Sequence, residues 1–122
     1  MRVNNRQLKL NTQVMNTTIT SDPQELFNIY GYAIQVFWSG TPTGTFKLQV
    51  SADPVAMGNP ANPKPTNWTD LIDSPYAVSA AGNYMWNVFD AMYNWVRLVY
   101  TDGSGGISTA AITLSTINIK GI

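Results

Sequence analysis

The groups in this chain able to do acid–base work are few. The 122-residue sequence holds seven carboxylates and contains neither histidine nor cysteine. Without imidazole or thiol, the usual general base and the usual transition-metal ligands are missing, and Ser-His-Asp and Cys-His nucleophiles are excluded. Disulfides are excluded as well. Paired carboxylates remain, and glycoside hydrolysis needs only two of them. The candidate pairs are Asp70 with Asp73 and Asp53 with Asp90. Each lies beside turn-forming residues, where Asp typically binds backbone N–H groups, so a turn-forming role is assigned to all four. Calcium held by Asp102, Asp53 and loop carbonyls would suit an ion that takes mixed oxygen ligands, but no spaced acidic loop accompanies them. The sequence therefore yields no catalytic residue, metal ligand or cofactor site, and the chain is read as a non-enzyme.

Arg97 is the one cation placed in the middle of an apolar run. A structural ion pair with Asp70 is expected, tying strand to loop, with Asp73 and Asp90 as alternative partners. Elsewhere charge is sparse: 11% of residues are charged, against roughly 25% in ordinary soluble domains. Asn, Thr, Ser and Gln carry the polarity instead. Neutral groups cost less to desolvate than charges, which suits a surface that works against a partner. Seven basic and seven acidic residues cancel, so no field draws a polyanion, and nucleic acid is not an expected partner. The basic cluster Arg2, Arg6 and Lys9 reads as a solvated arm or an anchor to a neighbouring protein. No apolar run approaches the about 20 residues of a membrane-spanning helix, and the N-terminus lacks the apolar core of a signal peptide. No membrane partner is expected.

The elements that must position these residues are strands. Residues 1–21 read as an extended N-terminal arm or first strand, and 22–122 as one β-sandwich domain. Tyr30, Tyr32, Ile34, Val36 and Trp38 share one face of a period-two run, with Gly31, Ala33, Gln35 and Phe37 on the other. A Gly/Pro loop leads to a second run with Phe46, Leu48 and Val50 inward. Four of the seven prolines fall between Asp53 and Asn67, so this stretch is a long loop, expected with the N-terminal arm to serve as a tether if the chain is part of an assembly. Tyr84, Trp86 and Val88 alternate against Met85 and Asn87. Val96, Leu98 and Tyr100 oppose Trp95, Arg97 and Val99. Ile112 and Leu114, then Ile117 and Ile119 across a bulge, close the domain. Short strands with turn signals about every ten residues describe an antiparallel all-β sandwich, jelly-roll or Ig-like.

The fourteen aromatic residues (four Trp, six Tyr, four Phe) exceed what one small core needs. Trp38, Phe46 and Trp68 are expected in that core. Strands apolar on both faces must be covered on both, so a second copy is the expected cover, with Phe37, Tyr84, Trp86 and Tyr93 as candidate interface residues beside Arg2, Arg6 and Lys9.

Three segments carry a resemblance: Gly44-Thr45-Phe46-Lys47-Leu48-Gln49-Val50-Ser51; Asn67-Trp68-Thr69-Asp70-Leu71 with Val78-Ser79-Ala80-Ala81-Gly82; and Tyr93-Asn94-Trp95-Val96-Arg97-Leu98-Val99-Tyr100 with the Gly-rich hairpin behind it. Their order resembles small β-sandwich accessory proteins of tailed-phage virions, which decorate capsids or associate with heads or tails. The resemblance implies a homo-oligomer that binds other virion proteins such as the major capsid protein, localised in the virion and assembled in the host cytoplasm. The same order is also similar to discoidin-like and other carbohydrate-binding sandwiches. That likeness implies an alternative: a module recognising host glycans on exposed rings, with Trp68, Tyr76 and Trp86 as the platform. The proline-rich stretch after Val50 departs from both patterns.

Overall fold

Period-two alternation becomes strand throughout, in a computed structural model that describes residues 3–8, 13–26, 29–54, 65–103 and 110–121, with the backbone alone described for 3–7, Tyr30 and Gly121. The strands are β1 (Val3–Gln7), β2 (Ile19–Thr20), β3 (Gln24–Glu25), β4 (Ile29–Ser39), β5 (Thr45–Ser51), β6 (Thr69–Asp70), β7 (Tyr76–Ala77), β8 (Gly82–Val88), β9 (Trp95–Thr101) and β10 (Ala111–Gly121). No helix occurs among the described residues.

One sheet has the order β1-β10-β4-β8. The other centres on β9 and β5, with β2 and β3 along the free side of β9 and β6 and β7 along that of β5. Every pairing is antiparallel. With β2/β3 and β6/β7 each taken as one interrupted edge, the chain makes eight strand positions ordered 1-8-3-6 and 2-7-4-5. That is the two-sheet jelly roll, and it decides between the two sandwich types the sequence left open. Val3–Gln7 pairs along β10 as the first strand, while Leu8 and Met15 are buried in the core. The N-terminal stretch is thus part of the sandwich and not a detachable arm.

The core lies between the sheets. Tyr32, Ile34, Val36 and Trp38 of β4 face Phe46 and Leu48 of β5 and Val96, Leu98 and Tyr100 of β9. Burial of one such side chain contributes about 1.5–3 kcal/mol. Phe46 is the hub, with ring centroids 5.3 Å from Trp38, 6.3 Å from Trp86 and 5.1 Å from Tyr100. The two buried indoles donate their N–H groups to backbone, Trp38 to Ala80 O at 2.6 Å and Trp86 to Ser74 O at 2.7 Å. These bonds satisfy the indoles and fix the segments that lead into β8. Trp68, expected in the core, is only half-buried and lies outside this cluster.

A bulge in β10 sets the character of the outer face. Ile112 pairs with Trp38, but Leu114 pairs with Phe37. The extra residue reverses the alternation, so Leu114 turns away from the core that the sequence pattern put it in.

In the second sheet both outer edges are interrupted, and a buried serine fills each gap. Ser21, between β2 and β3, accepts from Leu98 N through its Oγ at 2.8 Å. Ser74, between β6 and β7, accepts from Leu48 N at 3.1 Å. The hydroxyls replace the backbone partners that a continuous strand would supply.

Candidate functional site

The outer face of the four-stranded sheet is built by register. On β10, β4 and β8 the side chains directed away from the core fall in rows: Leu114, Phe37 and Asn83; Thr116, Gln35 and Met85; Asn118, Ala33 and Asn87. None of these nine residues is charged. Gln35 Nε2 donates to Asn83 Oδ1 at 3.2 Å, which orients two amides across adjacent strands. Phe37 and Leu114 are half-buried in the plane of the sheet, while Met85 is 50% exposed. The result is a flat surface of amides and hydroxyls with apolar side chains set into it. Such a surface contacts a partner without desolvating charge.

The opposite face, over β5 and β9, is organised around Arg97. Its Nε donates to Gln49 Oε1 at 2.8 Å, and the guanidinium lies 4.1 Å from the centroid of the Trp68 ring. Gln49 Nε2 in turn donates to Asp70 Oδ1 at 2.9 Å, and Asp70 Oδ2 is bridged by Lys47 at 3.0 Å. The expected ion pair between Arg97 and Asp70 is therefore corrected to a relay through Gln49. β5 lies between the two residues, since Gln49 pairs with Arg97 on one side and Asp70 on the other. Two strand spacings, about 10 Å, exceed salt-bridge reach. Partial burial lowers the pKa of Arg97 from its ordinary value, and a guanidinium remains charged at neutral pH. Hydrogen bonding from Gln49 and then Lys47 holds Asp70 below the ordinary carboxylate value.

Asp53 acts on backbone, as a turn former does. Asp53 accepts from Thr66 N at 2.8 Å, Asn67 N at 3.1 Å and Asn67 Nδ2 at 3.0 Å. These bonds close the base of the proline-rich loop, whose residues 55–64 lie outside the described ones. They also hold the Asp53 carboxyl below its usual range, the Asn67 side chain foremost. Asp73 has φ 62°, in the left-handed region that Asp tolerates in turns. Asp53 follows β5 at one end of the sandwich and Asp102 follows β9 at the other, so they do not share a calcium site. Among the described residues no group of three or more His, Cys, Asp or Glu gathers to hold a metal.

The expected glycan platform does not assemble. Trp86 is buried, with 6% exposure, against Phe46. Tyr76 stacks on Tyr84 with centroids 3.9 Å apart, and Trp68 lies beneath Arg97 on the other sheet's outer face. A sugar cannot stack across three rings so divided. The same burial removes Trp86 from the candidate interface. Tyr84 is half-buried against Tyr76, and Tyr93 bonds Tyr32 through their hydroxyls at 2.6 Å. Burial raises the pKa of both Tyr32 and Tyr93, so the pair stays neutral. Of the aromatic candidates Phe37 alone sits on an outer face. Arg2 and Lys9 lie outside the described residues; Arg6 belongs to β1, paired with Ile117, and its side chain is not described.

Among the described residues the large apolar side chains left exposed are Ile72 at 84%, Met92 at 90%, Phe89 at 67%, Met85 at 50% and Val14 at 41%, none of them a site residue expected from the sequence. Their signal in the sequence was position: Met85 alternates with Trp86, and Phe89 and Met92 fall in the turn that follows.

No family model matches the chain, and no curated protein matches it. Solved structures resemble it in fold. Dimeric latent PorU from Porphyromonas gingivalis superposes with a TM-score of 0.50 at 9% identity, over 98% of this chain and 12% of that one. The chain thus spans about an eighth of the PorU chain. The Tobacco streak virus coat protein aligns with a TM-score of 0.45 and 12% identity over 98% of this chain and 85% of its own. A chain from reduced XRCC1 bound to the DNA pol beta catalytic domain aligns at 0.45 and 7%, over 88% and 76%. These likenesses concern fold alone.

Proposed function

We propose that this chain is a non-enzymatic structural protein of a bacteriophage particle, a capsid decoration, minor head or tail-associated component. It works through contacts with its own copies and with other particle proteins such as the major capsid protein. The observation that carries this reading is the patch of nine uncharged residues on the outer face of the four-stranded sheet, with Phe37, Leu114 and Met85 set among Asn, Gln and Thr and Lys120 at its margin. The jelly roll serves in viral capsids and in lectins alike, so the fold itself does not select a role, and the support for this one comes from the surface. Asp53 is engaged in a loop closure, Asp70 in a surface relay and Asp73 in a turn, which supports a role without chemistry for these three carboxylates.

The test is the protein content of gradient-purified phage particles from the strain that encodes the chain. It should band with the particles at a fixed copy number relative to the major capsid protein. Recovery only as free protein at the top of the gradient would overturn the proposal.

A further inference from the structure

We infer that the free edge of β8 pairs with the β8 edge of a second copy, antiparallel about a two-fold axis at Met85, joining two four-stranded sheets into one. This rests on the reading of the chain as an assembly component and names its first partner.

An open strand edge presents unpaired N–H and C=O groups, and proteins usually blunt such edges with charge, proline, bulges or very short strands. Both edges of the second sheet are blunted here, since each is broken into two-residue pieces around a buried serine. β8 has none of these devices. It runs seven residues, Gly-Asn-Tyr-Met-Trp-Asn-Val, without charge or proline, and pairs in continuous register with β4 from Gly82 to Val88. Among the described residues no strand pairs with its other side.

Among the described residues, three of the five large exposed apolar side chains belong to this strand or to the connection that follows it, and a fourth is close in sequence to a segment bonded to it. Met85 is in it, Phe89 follows it directly and Met92 lies in the same connection. Ile72 stands two residues before Ser74, whose carbonyl accepts the Trp86 indole N–H. Gly31 lets the chain leave β8 closely: a Cβ there would stand 2.8 Å from Val88 O and 2.9 Å from Phe89 O.

The occupant follows from complementarity. In the register that uses the whole strand, Met85 faces Met85 of the second copy and Asn83 faces Asn87, two amides that each donate and accept. The nearest charge, Asp90, faces Ala80, so no like charges meet. Two-fold pairing makes the same patch serve both copies. A stable interface buries on the order of 1,200 Å² in total, so the pairing requires the exposed Phe89 and Met92 beside each strand to be covered together with it.

Sedimentation equilibrium of the full chain tests this. The 13.4 kDa chain should run at twice its mass. Met85→Lys, at a half-exposed position, should weaken association about a hundredfold by opposing like charges at the axis, with the β circular-dichroism spectrum of the folded chain unchanged. Since the sequence has no cysteine, Met85→Cys should form a covalent dimer on mild oxidation, whereas Thr20→Cys on β2 should not. A monomeric wild type, or a dimer that Met85→Lys leaves intact and Met85→Cys does not cross-link, would overturn the pairing. A monomer still found in phage particles would refute the pairing alone; a β8 dimer absent from particles would refute the assembly role alone.

Discussion

At the scale of single residues, small polar side chains make the bonds that the backbone cannot. Ser21 and Ser74 each give a hydroxyl to a buried leucine N–H where an edge strand is interrupted. Replacing either by alanine leaves that N–H buried and unsatisfied, so Ser21→Ala and Ser74→Ala should each lose about 1–3 kcal/mol by denaturant unfolding. Substitution at Thr18, which is exposed, should change little. Asp53 closes the proline-rich loop through its ionised form. Its folded pKa lies below the ordinary value of 3.8, so its stabilising effect is present above that value and is lost as pH falls through the lowered one. Asp70 shifts in the same direction. The melting temperature should therefore decline as pH falls below about 4. Asp53→Asn should flatten that decline and speed proteolytic cleavage in the loop at neutral pH. Neither serine nor the closure by Asp53 could be read from sequence, because each depends on partners 13 to 77 positions away.

At the scale of elements, the sequence was legible wherever alternation ran for five residues or more. The inward faces of β4, β5, β8 and β9 follow the period-two reading, with Tyr32, Phe46, Trp86 and Leu98 buried as their spacing implies. Two-residue strands such as β2 and β7 are too short to show a period. The bulge in β10 reversed Leu114, and Met15 entered the core from a polar stretch with no periodic neighbour. The glycines separate by contact. A Cβ at Gly44, before β5, would collide with Thr101 O and the Tyr100 ring, whereas Gly82 has open space around it. Gly44→Ala should cost about 1–3 kcal/mol through overpacking. Gly82→Ala should be neutral or stabilise by about 0.4–1 kcal/mol. Matched chemical denaturation curves of the two variants distinguish these outcomes.

At the scale of the whole molecule, much of the aromatic surplus among the described residues is absorbed by the monomer, in the core and in contacts such as Tyr76 with Tyr84 and Arg97 with Trp68. What remains for partners is narrower than composition alone suggested: an amide-rich face carrying Phe37 and Leu114, and the apolar margin of β8. The candidate site was therefore legible as a type of surface, neutral and aromatic, but not as a place, because the sequence could not show which rings the sandwich would bury.

A neutral surface makes contacts that salt does not screen. Co-sedimentation of the purified chain with phage particles assembled without it, at low and at high ionic strength, reads this property directly. The proposed role predicts saturable binding that is unchanged by salt and is reduced by Phe37→Glu on the outer sheet face. Failure to co-sediment, or binding that high salt abolishes, would contradict it.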